Sequence, residues 1–452
     1  MAKKSTRGKE LIFETFRYEN LDVPWVPFAG IHAGRFKGYT ASEILQDKTK
    51  LMECLVEVKK AYYPDGMPVI FDLQVEAEIL GCDLRWSDKA PPMVVNHPFS
   101  EEMNFIEKIP EQNEGRLPII LDVMKTLKKA IGDDTALFGL VCGPLTLASH
   151  LRGTNFYLDL VTNPEYATDL LSYTSEVAKT MSTFYIEAGM DIIAVVDPVV
   201  SQISPNMFNS YLKSEFSNIF SNIHSQDVFS SFFVCGDATK NLDLMCKSNP
   251  NSIFVDENID MVDAHEILSK YNIILGGNIP LTTTMLFGTQ QDNMKYVVDL
   301  IDQIGKDNLI IAPGCDMPYD IPFENVVGVV EAVQEPDLIR KSLENYHKKE
   351  IDLELELPNY HKLHKPLIEV FTIDSEVCAA CGYMLETAVD VKKKFGDKID
   401  LVEYKWIKLE NIHRAKKLNI EHLPCILING EVKYSSIIPP KDKLYNEIEK
   451  YL

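Results

Sequence analysis

Two runs decide the fold: Val228–Cys235, VFSSFFVC, and Leu309–Cys315, LIIAPGC. Each is short, rich in β-branched or aromatic side chains, and closed by a turn signal, GD after Cys235 and DMP after Cys315. Continuous apolar runs of this length read as strands buried on both faces, as in parallel sheets. A cysteine at the exit of such a strand points toward the mouth of an α/β sheet or barrel. Two of them, eighty residues apart, suggest a thiolate metal site, and zinc prefers such ligands.

Outward from this pair the same pattern recurs. Apolar runs also cover Val23–Ala29, Val69–Leu73, Ala136–Val141, Asp191–Asp197, Ser252–Asp256 and Ile273–Asn278. Helix-like stretches such as Pro164–Gly189 and Asn293–Ile304 lie between them. Eight repeats of strand plus helix predict a (β/α)8 TIM barrel with insertions, since such barrels take about 250 residues. A doubly wound sheet competes, but it should carry a glycine-rich phosphate loop after an early strand, and no GxGxxG is present.

Barrel active sites form at the C-terminal ends of the strands. Polar residues gather there: His32 and Arg35, Asp72, Cys142, Asp197, Cys235 with Asp237, Asp256 with Glu257, Asn278, and Cys315. A single Asp or Asn in such a place is more often a helix cap. Such residues at one run end after another are harder to attribute to capping alone.

After residue 340 the pattern changes. Residues 341–365 read as a charged linker, the tail of a helical stretch over Pro336–Glu356, and residues 366–452 as a second α/β domain in the order βαβαββα. This domain resembles the thioredoxin fold. Cys378-Ala-Ala-Cys381 opens a helix after the strand Leu367–Thr372, and a helix N-terminus favours the first cysteine as thiolate. Pro424 stands where that fold places a cis-proline facing the dithiol, and Cys425 follows it as a possible third sulfur or a small buried hydrophobe.

Composition narrows the classes of function. The 452 residues are 46% hydrophobic and 25% charged, an ordinary globular balance, and the net charge is −22. Such a charge argues against nucleic acid and against an anionic membrane surface as partners. No apolar run is long enough to span a bilayer, and the first residues lack a signal-peptide core. Nine scattered cysteines fit a reducing cytoplasm.

Residues 5 to 335 resemble the uroporphyrinogen decarboxylase superfamily, which includes corrinoid-dependent methyltransferases. The resemblance rests on VIFDLQVEAEILGCDLRW, GPLTLASHLRGTNFYLDLVTNPE, EAGMDIIAVVDPVVSQISPNMF, FVCGD, LGGNIPLTTTMLFGT and APGCDMPYDIPFENV. The decarboxylases carry an arginine-rich loop after the first strand. Here AGIHAGRF keeps Arg35 but has Ile31 where another arginine would stand, and PGC replaces their last-strand histidine. The methyltransferase branch uses His-x-Cys on the fifth strand and a cysteine on the eighth as zinc ligands. Cys235 and Cys315 match those cysteines, whereas Phe233 occupies the histidine position.

The resemblance therefore implies methyl transfer between a corrinoid and a thiol acceptor held at a Cys-ligated zinc. Asp256 or Glu257 would replace the histidine, with His32 and Asp237 as further candidates. His32, Arg35, Asp72 and Asp197 are the expected catalytic residues, and Asn278 and His150 the expected substrate-binding ones. No corrinoid-binding DxHxxG segment is present, so methylcobalamin is expected on a partner protein. Three alternatives stay open: zinc-independent transfer to tetrahydrofolate with Asp72 and Asp197 holding the pterin, a uroporphyrinogen-type decarboxylase, and a non-catalytic redox partner of a corrinoid system.

Overall fold

The computed structural model describes residues 7–101, 107–348, 353, 355–376 and 378–452. Seven strands form one all-parallel sheet: β1 (Gly66–Pro68), β4 (Ala136–Cys142), β5 (Ile192–Val196), β6 (Phe229–Phe233), β7 (Ser252–Phe254), β8 (Ile274–Ile279) and β9 (Leu309–Pro313), adjacent in that order. A short ribbon, β2 (Leu84–Arg85) with β3 (Met93–Val94), is inserted after β1.

The segment around Trp25 closes the sheet into a barrel. It bridges Ile311 of β9 in parallel, and the carbonyl of Trp25 accepts from the amides of Asp65 and Gly66 at the start of β1. The first predicted run is thus an eighth, irregular stave. The second predicted run is displaced: β1 pairs with β4 over Gly66–Pro68, and Val69–Leu73 is the loop leaving it. Pro68 and the turn that precedes it hid this short strand from an apolar-run reading.

Side chains alternate along each strand between two apolar clusters. Leu137, Ile193, Val195, Phe232 and Ile253 face the surrounding helices. Phe138, Ile192, Ala194, Phe233 and Phe254 face the barrel interior, joined there by Phe28 and Phe71. The interior is therefore a packed core, and a functional site has room only above it.

The predicted helix over Pro336–Glu356 is shorter than expected, running from Pro336 to Ser342, and residues 349–352 and 354 of that stretch lie outside the described residues. The C-terminal unit has the expected order. Its sheet runs β11 (Asp400–Lys405), β10 (Leu367–Thr372), β12 (Cys425–Ile428), β13 (Glu431–Ser435), with β10 and β11 parallel and the other pairs antiparallel. The helix Ala379–Phe395 begins at the CxxC, and the Leu423–Pro424 peptide is cis.

This unit packs on the C-terminal end of the barrel. The helix Ala379–Phe395 meets the turn Pro198–Gln202 after β5. His150 Nδ1 is 2.8 Å from the Tyr383 hydroxyl, and the Tyr157 and Tyr383 rings lie 6.0 Å apart. Among the described residues no helix is long and apolar enough to cross a membrane.

Candidate active site

A cavity of about 610 Å³ lies between the barrel mouth and the C-terminal unit. Cys235 and Cys315 line its barrel side; Cys378, Cys381 and Pro424 line the other. Cys235 stands two residues beyond Phe233, on the same inward face of its strand. Gly236 then reverses the chain at φ 88°, and a side chain there would strike the Ser201 hydroxyl.

Cys235 and Cys315 lie close enough on the cavity wall for each thiol to act on the other's titration. The Cys315 thiol, then burial, hold Cys235 well above its ordinary value. For Cys315 the neighbour acts downward, but burial and Asp316 outweigh it and the net shift is upward. Both are therefore neutral thiols at neutral pH, and all nine cysteines are free of disulfides.

Phe233 is fully buried against Phe28, with centroids 4.8 Å apart, and against Phe71 and Phe254 at 5.7 Å each. It belongs to the aromatic core and offers no ligand. The proposed replacement carboxylates are engaged elsewhere. Asp256 accepts from the amides of Gly236 and Asn258 and from the Asn258 side chain; burial lifts it to about 6. Glu257 accepts from the Leu281 amide at 3.2 Å, and burial followed by the Asp256 charge lifts it to about 8. Asp256 is near enough for its charge to act on both thiols. Yet among the described residues no three His, Cys, Asp or Glu side chains are grouped to hold a metal. Two thiols without a third ligand do not fit a tetrahedral zinc site.

The other expected site residues have internal partners. Asp197 caps the helix Pro144–Arg152, accepting from the amides of Leu145 at 2.9 Å and Thr146 at 3.1 Å and from the Thr146 hydroxyl at 2.6 Å; burial lifts it to about 7. Gly143 makes room for that carboxyl, since a side chain there would overlap it. Asp72 is buried in an ion pair with Arg116 at 2.6 Å, and Arg116 also holds Glu78 and lies over Trp86. His32 is enclosed between the Tyr62 hydroxyl at 2.7 Å and the Tyr319 carbonyl at 3.0 Å, and burial lowers it to about 4. Arg35 donates to the carbonyls of Asp320 and Ile321 and stacks on Phe323. Asn278 donates to the carbonyls of Asp256 and Ile259, and Asp237 accepts from the Thr239 amide.

None of these residues lines the thiol cavity. Each serves as a cap, a buried pair or a loop tie, the physical alternative for polar groups at strand ends. His150 faces the C-terminal unit instead, with its Nε2 unpartnered and burial lowering it to about 3. Cys425 packs with Phe371, Leu423 and Leu427, and burial pushes it to about 12.

Two residues that sequence reasoning passed over do line the cavity. Asp316 is 6% exposed, and neither carboxylate oxygen makes a well-formed side-chain hydrogen bond; burial raises it well above the carboxylate range. Gln74 also faces the cavity with its Oε1 unpartnered. Asp316 had been read only as part of the DMP turn; its place directly after Cys315 was the available signal.

The chain has relatives among methyltransferases and uroporphyrinogen decarboxylases. A methylcobamide:CoM methyltransferase, MtbA, of Methanosarcina acetivorans is 29% identical over 275 residues, covering 60% of this chain and 79% of the relative. The MtaA methylcobamide:CoM methyltransferase of Methanosarcina barkeri is 27% identical, covering 58% and 77%. A uroporphyrinogen decarboxylase of Nostoc punctiforme is 24% identical, covering 64% and 84%. The solved structure of a methyltransferase from Methanosarcina mazei superposes with a TM-score of 0.68 at 23% identity, covering 73% of this chain and 98% of that one, which establishes the barrel fold. The uroporphyrinogen decarboxylase (URO-D) family model matches residues 8–336, nearly the whole barrel, and this chain belongs to that family.

Proposed function

We propose that this protein is a methyltransferase that carries a methyl group from a corrinoid, brought by a partner protein, to a small thiol. The observation that carries the reading is the pair Cys235 and Cys315, set side by side over the aromatic core at the barrel mouth. The relatives named methylcobamide:CoM methyltransferases support the same class of donor and acceptor. In the step itself the acceptor sulfur attacks the methyl carbon. The S–C bond forms as the Co–C bond breaks, the electron pair stays on cobalt, and the acceptor's proton leaves to solvent.

The barrel thiols and Asp316 shape the acceptor pocket in this reading, and no step is assigned to zinc. The pterin alternative loses its support, because Asp72 and Asp197 are held by Arg116 and a helix N-terminus. We read the C-terminal unit as thioredoxin-like, on its strand order and on a CxxC at a helix start. It covers the mouth, so a corrinoid protein would need it to undock first.

The test is methyl transfer from free methylcobalamin to 2-mercaptoethanol in fully reduced protein. Replacing either Cys235 or Cys315 by Ser should slow transfer on the order of 10²-fold, the scale of a misplaced reacting group. Wild-type rates in both variants would refute the role of the pair.

A further inference from the structure

Four cysteines from two domains line one cavity, and their order across it is specific. Cys378 is the nearer of the C-terminal pair to the barrel: its charge acts on Cys235. It is partly exposed, whereas Cys381 is fully buried behind it. The Cys378 sulfur caps its helix, accepting from the Cys381 amide at 3.2 Å.

Cys378 also borders a second interdomain cleft of about 380 Å³, lined by His97, His150, Tyr383 and Glu386. Cys378 thus borders both the cavity of the barrel thiols and the adjoining cleft.

We propose that the C-terminal dithiol is a built-in reductant of a Cys235–Cys315 disulfide, with the docked arrangement being the electron-transfer state. A small-molecule disulfide oxidises the barrel pair, becoming two thiols as the Cys235–Cys315 bond forms. The Cys378 thiolate then attacks the Cys235 sulfur. The Cys235–Cys315 bond breaks, Cys315 leaves as thiolate and takes a proton from solvent. Cys381, after releasing its proton, attacks the Cys378 sulfur; Cys235 leaves and is protonated in turn. Two electrons and two protons have moved from the C-terminal dithiol to the barrel. An external dithiol reaching Cys378 through the second cleft restores the starting state by the same exchange.

The barrel pair is suited to need this. Neighbouring thiols with no third ligand can close to a disulfide, and the pocket that holds them is covered by the unit that would reduce them. The inference concerns thiol chemistry and does not depend on the identity of the methyl acceptor.

The experiment uses the full chain. Protein is oxidised with oxidised glutathione, and disulfides are mapped by mass spectrometry after alkylation. Cys381→Ser removes the resolving thiol, so a Cys378–Cys235 mixed disulfide should accumulate. With limiting dithiothreitol, wild type should recover free Cys235 and Cys315 at least about tenfold faster than Cys378→Ser. A Cys381→Ser protein that links Cys378 only to glutathione or to a second chain overturns the proposal, as does equal recovery in Cys378→Ser. Circular dichroism of both variants checks that they fold. Methyl transfer under full reduction is measured separately, so failure of the relay and failure of the methyltransferase reading give different results.

Discussion

Raising the pH from about 6.5 to about 8 should destabilise this protein by about 2 kcal/mol. The cause is a set of buried carboxyls around the barrel mouth. Glu76 and Asp197 are lifted to about 7 and Glu257 to about 8, in each case by burial first. A carboxyl whose folded value lies above its unfolded one keeps its proton longer in the native state. Its contribution to stability is complete below the unfolded carboxylate range and is lost as pH rises through the folded value.

The buried His32 and His150 act in the opposite sense, with folded values lowered to about 4 and about 3. Their contribution is only half developed at the unfolded imidazole value of about 6.5, so over this window the pair returns about 0.8 kcal/mol. At about 1.4 kcal/mol per proton per pH unit, the three carboxyls lose about 3 kcal/mol, of which Glu257 supplies about half and Glu76 and Asp197 about a quarter each. Asp256, at about 6, is mostly ionised before the window opens.

The assay is urea unfolding followed by tryptophan fluorescence at constant ionic strength across that window. Glu257→Gln keeps the acceptor for the Leu281 amide but cannot titrate, so its slope against pH should be about a third that of wild type. Stability that is flat or rising over the window, or a Glu257→Gln slope equal to wild type, would refute the assignment of these groups as buried proton holders.

Phe233→Ala should lower stability by about 3–5 kcal/mol, measured in the same unfolding assay, because it empties the centre of the aromatic barrel core. Protein purified without added metal should hold well under one zinc per chain by elemental analysis, because Phe233 leaves the two thiols without a third ligand; stoichiometric zinc bound by Cys235 and Cys315 would contradict the geometry. Tyr383→Phe removes the partner of His150 Nδ1 and should weaken domain docking by about 1–3 kcal/mol; faster alkylation of Cys235 and Cys315 would report it, and unchanged labelling would count against a closed mouth.

Most of the architecture was legible in the sequence. Apolar runs with helical spacers marked seven of the eight staves, because strands buried on both faces cannot hide their composition. The strand β1 was read a few residues late, because it is only three residues long and contains Pro68. The order of the C-terminal unit and the positions of its cysteines were equally visible, since turns and a CxxC at a helix start are local signals.

The site was less legible, for a physical reason. At the end of a strand the sequence displays a polar residue but not its partner. Asp72, Asp197, Asn278 and His32 look alike as candidates, yet their partners Arg116, Leu145, Ile259 and Tyr62 come from segments many residues away. The same holds for Asp316, whose importance lies in its buried place at the cavity wall. By itself the sequence determined the barrel, the appended α/β unit and the matched cysteines, all of which follow from local composition and period. Only the tertiary structure decided that Phe233 belongs to the core and that Cys378 stands across one cavity from Cys235, because both depend on which distant surfaces meet when the chain closes.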